Sequence, residues 1–374
     1  MLTAEDALRL NVLLANRPLA VRIDEPRLTV HGLMPGGEAQ LQLHPNCREE
    51  SYLKQVREAL SGHVLGSPGG YPVYLQRWTR MGQMRDESLE QLLVLGEPEA
   101  VVAAVCAPGL TDELARRAWW AMEDAENARR MLQRAPVAQG SMGPVLAAFL
   151  IEHLPFETEP EMMIESVRLA LQPGLIDAAA RDELWRKAAR RQAYYVGFLL
   201  ATPDDLPLAA PAHPLAAVTE AVLRPAGGDP AAALVGRALS PAGQAFLDTC
   251  RAVFDKPANQ DVVNSALAAV ARYFRALRPE DAPDATLEAL QGEAEDFLRS
   301  LPPPLGRLLD AVPDARGLLE SMRVLSGLGY GVVRPVFGDS TAIGSLMRRK
   351  LEPVFAPLRG HLDRLRAGRL PPAL

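Results

Sequence analysis

Apolar positions first recur at helical spacing, where Leu8, Val12 and Leu13 fall on one side of a segment that Thr3 can cap, predicting a helix over residues 4–15. The period then drops to two. Leu19–Ile23, Arg27–His31 and Gln40–Leu43 alternate apolar with polar residues and are separated by Asp24-Glu25-Pro26 and Pro35-Gly36-Gly37. This predicts a small antiparallel β-meander packed on the first helix. From Cys47 onward the pattern is almost entirely helical.

The stretch from His44 to Gln83 reads as a helical hairpin. Asn46 suits an N-cap with Glu49 three residues on, so Cys47 is expected to open a helix that runs to about Ser61 and stops at Gly62. Ser67-Pro68-Gly69-Gly70 makes the connection, and Pro72 opens a second helix with Tyr74 and Trp78 one turn apart. Part of the pattern recurs. Glu97-Pro98-Glu99, a helix, and Pro108-Gly109-Leu110-Thr111-Asp112 before a long helix are echoed by Glu159-Pro160-Glu161, a helix, and Pro173-Gly174-Leu175-Ile176-Asp177, the copies lying 62 to 65 residues apart. In each copy the Asp is placed to cap the helix that follows. The expected fold is mainly α, with stacked helical hairpins of HEAT type or an irregular bundle following the meander.

Residues 202–214, with four prolines in thirteen positions, read as a linker. Helices resume at about 215–224, 230–238, 241–254, 258–277, 284–300 and 315–326, and a last one starts near Asp339 or Ser340. Pro279 and Pro302-Pro303-Pro304 read as stops between them. The expected division is an N-terminal helix and meander at 1–45, a repeat-like helical domain at 46–201, the linker at 202–214, and a C-terminal helical domain at 215–374 that ends in a basic tail.

Composition adds a charge asymmetry. The chain of 374 residues has a formal charge of -6, yet residues 331–374 hold eight Arg or Lys against three acids, so the rest is more acidic than the total suggests. Arg348, Arg349 and Lys350 are the candidate anion-binding group. Three cysteines are too few and too scattered for a disulfide framework or a four-cysteine zinc site, which points to a reducing compartment. The acidic N-terminus does not resemble a signal peptide, and no apolar run approaches the ~18 residues needed to span a bilayer. A cytoplasmic location without membrane contact is expected.

The candidate chemistry is sparse. His44 and Cys47 form an H-x-x-C pair without further ligands for zinc, so no metal is expected. Cys47 at a helix N-terminus, with His44 as base, is the candidate reactive thiol, whereas Cys106 and Cys250 sit in apolar helical contexts and read as core. Gly327-Leu328-Gly329-Tyr330-Gly331 follows a helical pattern and reads as a C-cap and bend, not a dinucleotide loop. Ser67-Pro68-Gly69-Gly70 lacks the lysine of a P-loop, and Glu123 and Glu126 lack the Glu-x-x-His of a di-iron bundle. No cofactor is expected. Tyr71, Tyr74 and Trp78 interleave with Arg77 and Arg80, a candidate partner surface able to stack on and neutralise a nucleic acid.

The run HPNCREESYLKQVREALSGHVLGSPGGYPVYLQRWTRMGQ, continued by LLVLGEPEAVVAAVCAPGLTDELARRAWWAMEDAENARRML, resembles the DsrS family of sulfur-metabolism proteins, encoded with the reverse-acting dissimilatory sulfite reductase genes of sulfur-oxidising bacteria. The resemblance spans His44 to about Leu132 and brings no catalytic motif with it. It implies a cytoplasmic, non-catalytic accessory or scaffold protein of oxidative sulfur metabolism that works through protein partners of that pathway. Two alternatives stand beside it: a nucleic-acid-binding post-transcriptional regulator, with weak RNA binding through the tail and the Tyr/Trp/Arg hairpin, and a sulfur-handling protein that uses Cys47.

Overall fold

The computed structural model describes residues 1–71, 86–278, 284–338 and 344–367, which are mainly α-helical with one small antiparallel sheet near the N-terminus. The chain forms two compact units: Met1–Pro155 with Gln172–Ile176, and Phe156–Leu171 with Asp177 onward.

In the first unit Thr3 caps α1 (Ala4–Ala15) by accepting from the Asp6 N–H. The meander follows as β1 (Ala20–Asp24), β2 (Thr29–Met34) and β3 (Gly37–Gln42), in the spatial order of the sequence. Its register aligns Ile23, Val30 and Leu41 on one face. That face packs on Leu10, Leu13 and Leu14 of α1 and on Tyr52 and Val56 of α2 (Glu49–Leu65). α1 lies close to the sheet: a Cβ on Gly32 would stand 2.9 Å from Leu13 Cδ1. The opposite face carries Arg22, His31 and Glu38. His31 Nδ1 meets Glu38 Oε1 at 2.6 Å, and the Arg22 guanidinium lies 4.7 Å from the centre of the Trp120 ring.

The sequence placed Leu8 and Val12 with Leu13 on one side of the first helix. The sheet takes Leu10, Leu13 and Leu14 instead and leaves Leu8 and Val12 exposed at 65% and 54%. The helix from the His44 stretch also differs from its expected bounds. Its N-cap is Arg48, without a side-chain bond, and it runs past Gly62 to Leu65, where Gly66 closes it in the left-handed conformation (φ 69°).

The first unit continues with α3 (Asp86–Val94), α4 (Pro98–Cys106), α5 (Asp112–Ala121), α6 (Ala125–Leu132), α7 (Ala135–Ala138) and α8 (Met142–His153). The second contains α9 (Pro160–Ala170), α10 (Ala178–Ala188), α11 (Gln192–Ala201), α12 (Ala216–Leu223), α13 (Pro230–Leu239), α14 (Pro241–Asp255), α15 (Gln260–Tyr273), α16 (Leu287–Arg299), α17 (Pro303–Ala311), α18 (Ala315–Leu325), α19 (Tyr330–Phe337) and α20 (Gly344–Leu365).

The internal repeat is local and does not extend to packing. α4 packs on α3, α5 and α6, whereas α9 packs on α11 and α15, so the copies are not equivalent layers. Their acids also part company. Asp177 caps α10 by accepting from the Ala180 N–H at 2.8 Å, but α5 is capped by Thr111. Asp112 turns to the start of α8, accepting from the Ser141 and Met142 N–H groups and the Ser141 hydroxyl.

Residues 202–214 do not divide the units; they lie within the second and are tied down there. Asp204 takes both Nε and Nη2 of Arg237 at 2.6 and 2.8 Å, Asp205 pairs with Arg181, Leu206 is buried, and the His213 N–H donates to Leu239 O. Two helices that the sequence reading missed, α17 and α19, open at the ends of segments read as a stop and a bend. A proline at N1 is compatible with helix, and Gly329 serves as the N-cap of α19.

Candidate functional site

His44 and Cys47 do not assemble a thiol–base pair. The His44 N–H donates to Asp6 Oδ2 at 2.7 Å and its Nδ1 lies 3.3 Å from Asp6 Oδ1. Asp6 is buried and also accepts from the Tyr52 hydroxyl at 2.5 Å, while Thr3 contacts that hydroxyl through its own N–H and Oγ1. Burial pushes the Asp6 carboxyl up, but the hydrogen bonds from Tyr52, His44 and Thr3 outweigh it and hold the pKa below the ordinary value. This is a buried clasp joining α1, the chain after β3, and α2. Cys47 lies two residues before α2, exposed, with Gln55 Nε2 at 3.8 Å from its sulfur.

Cys106 was expected in the core and is only half-buried. Its sulfur accepts from Arg130 Nη1 at 3.2 Å and its carbonyl from Arg134 Nη2 at 2.7 Å. The Cys106 sulfur, together with Glu126, holds Arg130 above its ordinary pKa. Sequence reasoning missed this cluster because its partners come from 24 and 28 residues away. Cys250 is core as expected, and burial pushes its thiol well above the ordinary value.

Tyr71 donates its N–H to Glu97 Oε2 at 3.0 Å, and burial raises its phenol. The rest of that candidate surface, Tyr74, Arg77, Trp78 and Arg80, lies outside the described residues. In the basic tail the described arginines are mostly engaged by this chain's own acids: Arg334 by Asp284, Arg359 by Glu352, Arg364 by Glu320, and Arg366 by Asp248 and Asp363. Arg348, Arg349 and Lys350 are exposed on the first turns of α20, and Lys350 has an interaction of its own.

What the sequence did not foresee is a concave apolar surface in the first unit. A groove of about 620 Å³ runs between α1 and the β2–β3 hairpin, lined by Leu8, Val12 and Leu13 on the helix and by Met34, Ala39 and Leu41 on the sheet. It opens along the flank of α1 that carries the exposed Leu8 and Val12. Arg9, Asn16 and Gln40 are the polar residues among its lining. A second hollow of about 490 Å³ is more polar, with Arg17, His63, Glu90 and Arg117 around Leu14, Leu19 and Val94. Its Arg117 is already held by Glu90 and Glu113 at 3.3 and 2.9 Å.

Among the described residues no three His, Cys, Asp or Glu side chains gather as a metal site, and no helix is long and apolar enough to cross a membrane. Comparison with protein-family models, curated proteins and solved structures finds no match to this chain.

Proposed function

We propose that this chain is a non-catalytic accessory protein that works by docking to other protein surfaces, and that its setting is the cytoplasmic, oxidative sulfur metabolism implied by the resemblance over residues 44–132. The observation that carries the docking role is the open apolar groove beside exposed Leu8 and Val12. Exposed apolar concavities with a polar rim are the chemistry of protein association. The regulator reading draws less support, because the arginines that made the tail basic are largely neutralised by Asp and Glu of the same chain, and a net charge of -6 repels a polyanion. The carrier reading loses its base, since His44 is held by Asp6.

Affinity capture with the tagged full chain from a sulfur-oxidising bacterium, with and without ribonuclease, tests the proposal. Sulfur-oxidation proteins retained after ribonuclease treatment are the expected result. Capture that depends on RNA and weakens on replacing Arg348 and Arg349 by Ala would make the chain a regulator instead.

A further inference from the structure

The second unit buries more positive charge than it pairs. Arg278 follows the short 3-10 helix Arg275–Leu277, Arg323 lies on α18, and both reach Glu293 on α16. The Arg278 side chain is 7% exposed and that of Arg323 18%. Glu293 is the only carboxylate that either meets among the described residues. Its Oε2 stands 2.5 Å from Arg278 Nη2, off the line of the N–H bonds, and 3.9 Å from Arg323 Nη2. Arg323 also donates Nη1 to the Leu277 carbonyl and lies 5.3 Å from the centre of the Phe297 ring. Arg278 Nε and Nη2 and Arg323 Nε are then buried with no hydrogen-bond acceptor among the described residues. Gly327 keeps the place for this arrangement. A Cβ there would stand 2.9 Å from Nε and 3.1 Å from Cζ of Arg278, and would strike Leu290 Cδ2.

An uncompensated buried charge is among the most costly features a fold can carry, and buried donors without acceptors are rare in native chains. Two guanidiniums against one carboxylate leave one positive charge over. Burial and the neighbouring Arg278 charge hold Arg323 below its ordinary pKa, and Glu293 offsets only part of this. We propose that the Arg278–Arg323–Glu293 cluster is a binding site for a small tetrahedral oxyanion, phosphate or sulfate, which supplies the acceptors and the negative charge that Glu293 does not. The remaining donors belong to guanidiniums held by different elements, one against Gly327 and one beside the Phe297 ring, so the acceptor must offer oxygens in several directions. A tetrahedral anion does this and a flat carboxylate does not. Access selects a small ion over a phosphorylated macromolecule. Solvent reaches the cluster from the side of Glu293, which is 41% exposed, while Arg278 lies too deep for a bulky substituent to follow. The site is independent of the apolar groove, which belongs to the first unit.

Thermal unfolding of the full chain at constant ionic strength decides, with phosphate, sulfate or acetate replacing chloride up to about 10 mM, below the range where such salts stabilise proteins by exclusion from their surface. Phosphate and sulfate should raise Tm by about 2–4 °C and saturate, and acetate should not. Arg278→Met and Arg323→Met should each abolish that rise without lowering Tm in chloride, because each removes surplus buried charge; an arginine with a purely structural role would lower Tm in every salt. Should either fail to fold, Arg323→Lys keeps the charge and loses the fork, and should weaken phosphate binding at least about fivefold by titration calorimetry. Glu293→Gln removes the competing carboxylate and should tighten it. No saturable rise, an equal rise in acetate, or a rise that survives Arg278→Met would each overturn the proposal. So would a rise seen only after Glu280→Gln with Asp281→Asn, which would assign the place to the acids next along the chain.

Discussion

The buried Asp6 carboxylate accepts from the Tyr52 hydroxyl and the His44 N–H and contacts the exposed His44 ring, and the balance at this residue sets the first expectation. Removing an acceptor that leaves buried donors unpaired costs more than the bond itself contributes. Asp6→Ala takes the acceptor from the His44 N–H and leaves the Tyr52 hydroxyl with Thr3 alone, so it should destabilise the fold by about 2–3 kcal/mol. Tyr52→Phe, which leaves the carboxylate with its other donors, should cost about 1–2 kcal/mol. Urea unfolding of both variants checks the order. The cysteines give a second expectation. A thiol reacts as its thiolate, and Cys250 is fully buried with its pKa pushed well up, while Cys47 is exposed. In a time course of alkylation followed by mass spectrometry, Cys47 should be modified first and Cys250 only on unfolding; early labelling of Cys250 would contradict the burial. The role of His44 was illegible in the sequence because its partner is 38 residues away, while the Thr3 cap, which acts over three residues, was legible.

At the scale of elements, local punctuation was readable and the choice of buried face was not. Cap residues, prolines at N1 and the two-residue alternation located most helices and all three strands. α1 has apolar residues on both sides, and only the sheet decides that Leu10, Leu13 and Leu14 go inward, so the groove could not be read in advance. Proline and glycine clusters were overread as stops, hiding α17 and α19, because the residue types that end one helix also begin the next. Tight crossings are equally nonlocal. At the α9–α11 contact a Cβ on Gly197 would lie 2.6 Å from both Cβ and Cγ1 of Val167, with the Ile164 carbonyl at 3.1 Å. Gly197→Ala should therefore cost about 1–3 kcal/mol despite the better helix propensity of alanine, seen as a lower denaturation midpoint. The α18–α20 contact adds a pH dependence. His361 is buried against Ser321, and burial, with Arg364 beside it, brings its pKa down to about 4. The folded chain keeps it neutral where the unfolded chain takes a proton. Its contribution is thus complete above about pH 6.5 and is lost as the pH falls toward 4, an effect on the order of 3 kcal/mol. His361→Gln should flatten the stability profile in that window, measured by denaturation at stepped pH.

The two units that the whole chain forms are not consecutive stretches of sequence. The first takes back Gln172–Ile176 after residues 156–171 have gone to the second. Inside the first unit Gln172 Nε2 donates to Leu132 O at 3.0 Å, and a Cβ on Gly143 would stand 2.9 Å from Leu175 Cδ2, so the returning residues are part of its packing. A fragment ending at residue 155 should accordingly melt lower and less cooperatively than one extended to residue 176, a difference that thermal circular dichroism reads directly. The proline-rich stretch had suggested a cut at 202–214, where the structure instead has the bidentate Asp204–Arg237 pair. The interleaving also bears on how the protein is made. A ribosome delivers the chain from its N-terminus, so the last piece of the first unit emerges only after sixteen residues of the second. Whatever the first unit builds before then is unfinished, and its completion is timed by translation past residue 176 and not by the speed at which its own helices can form.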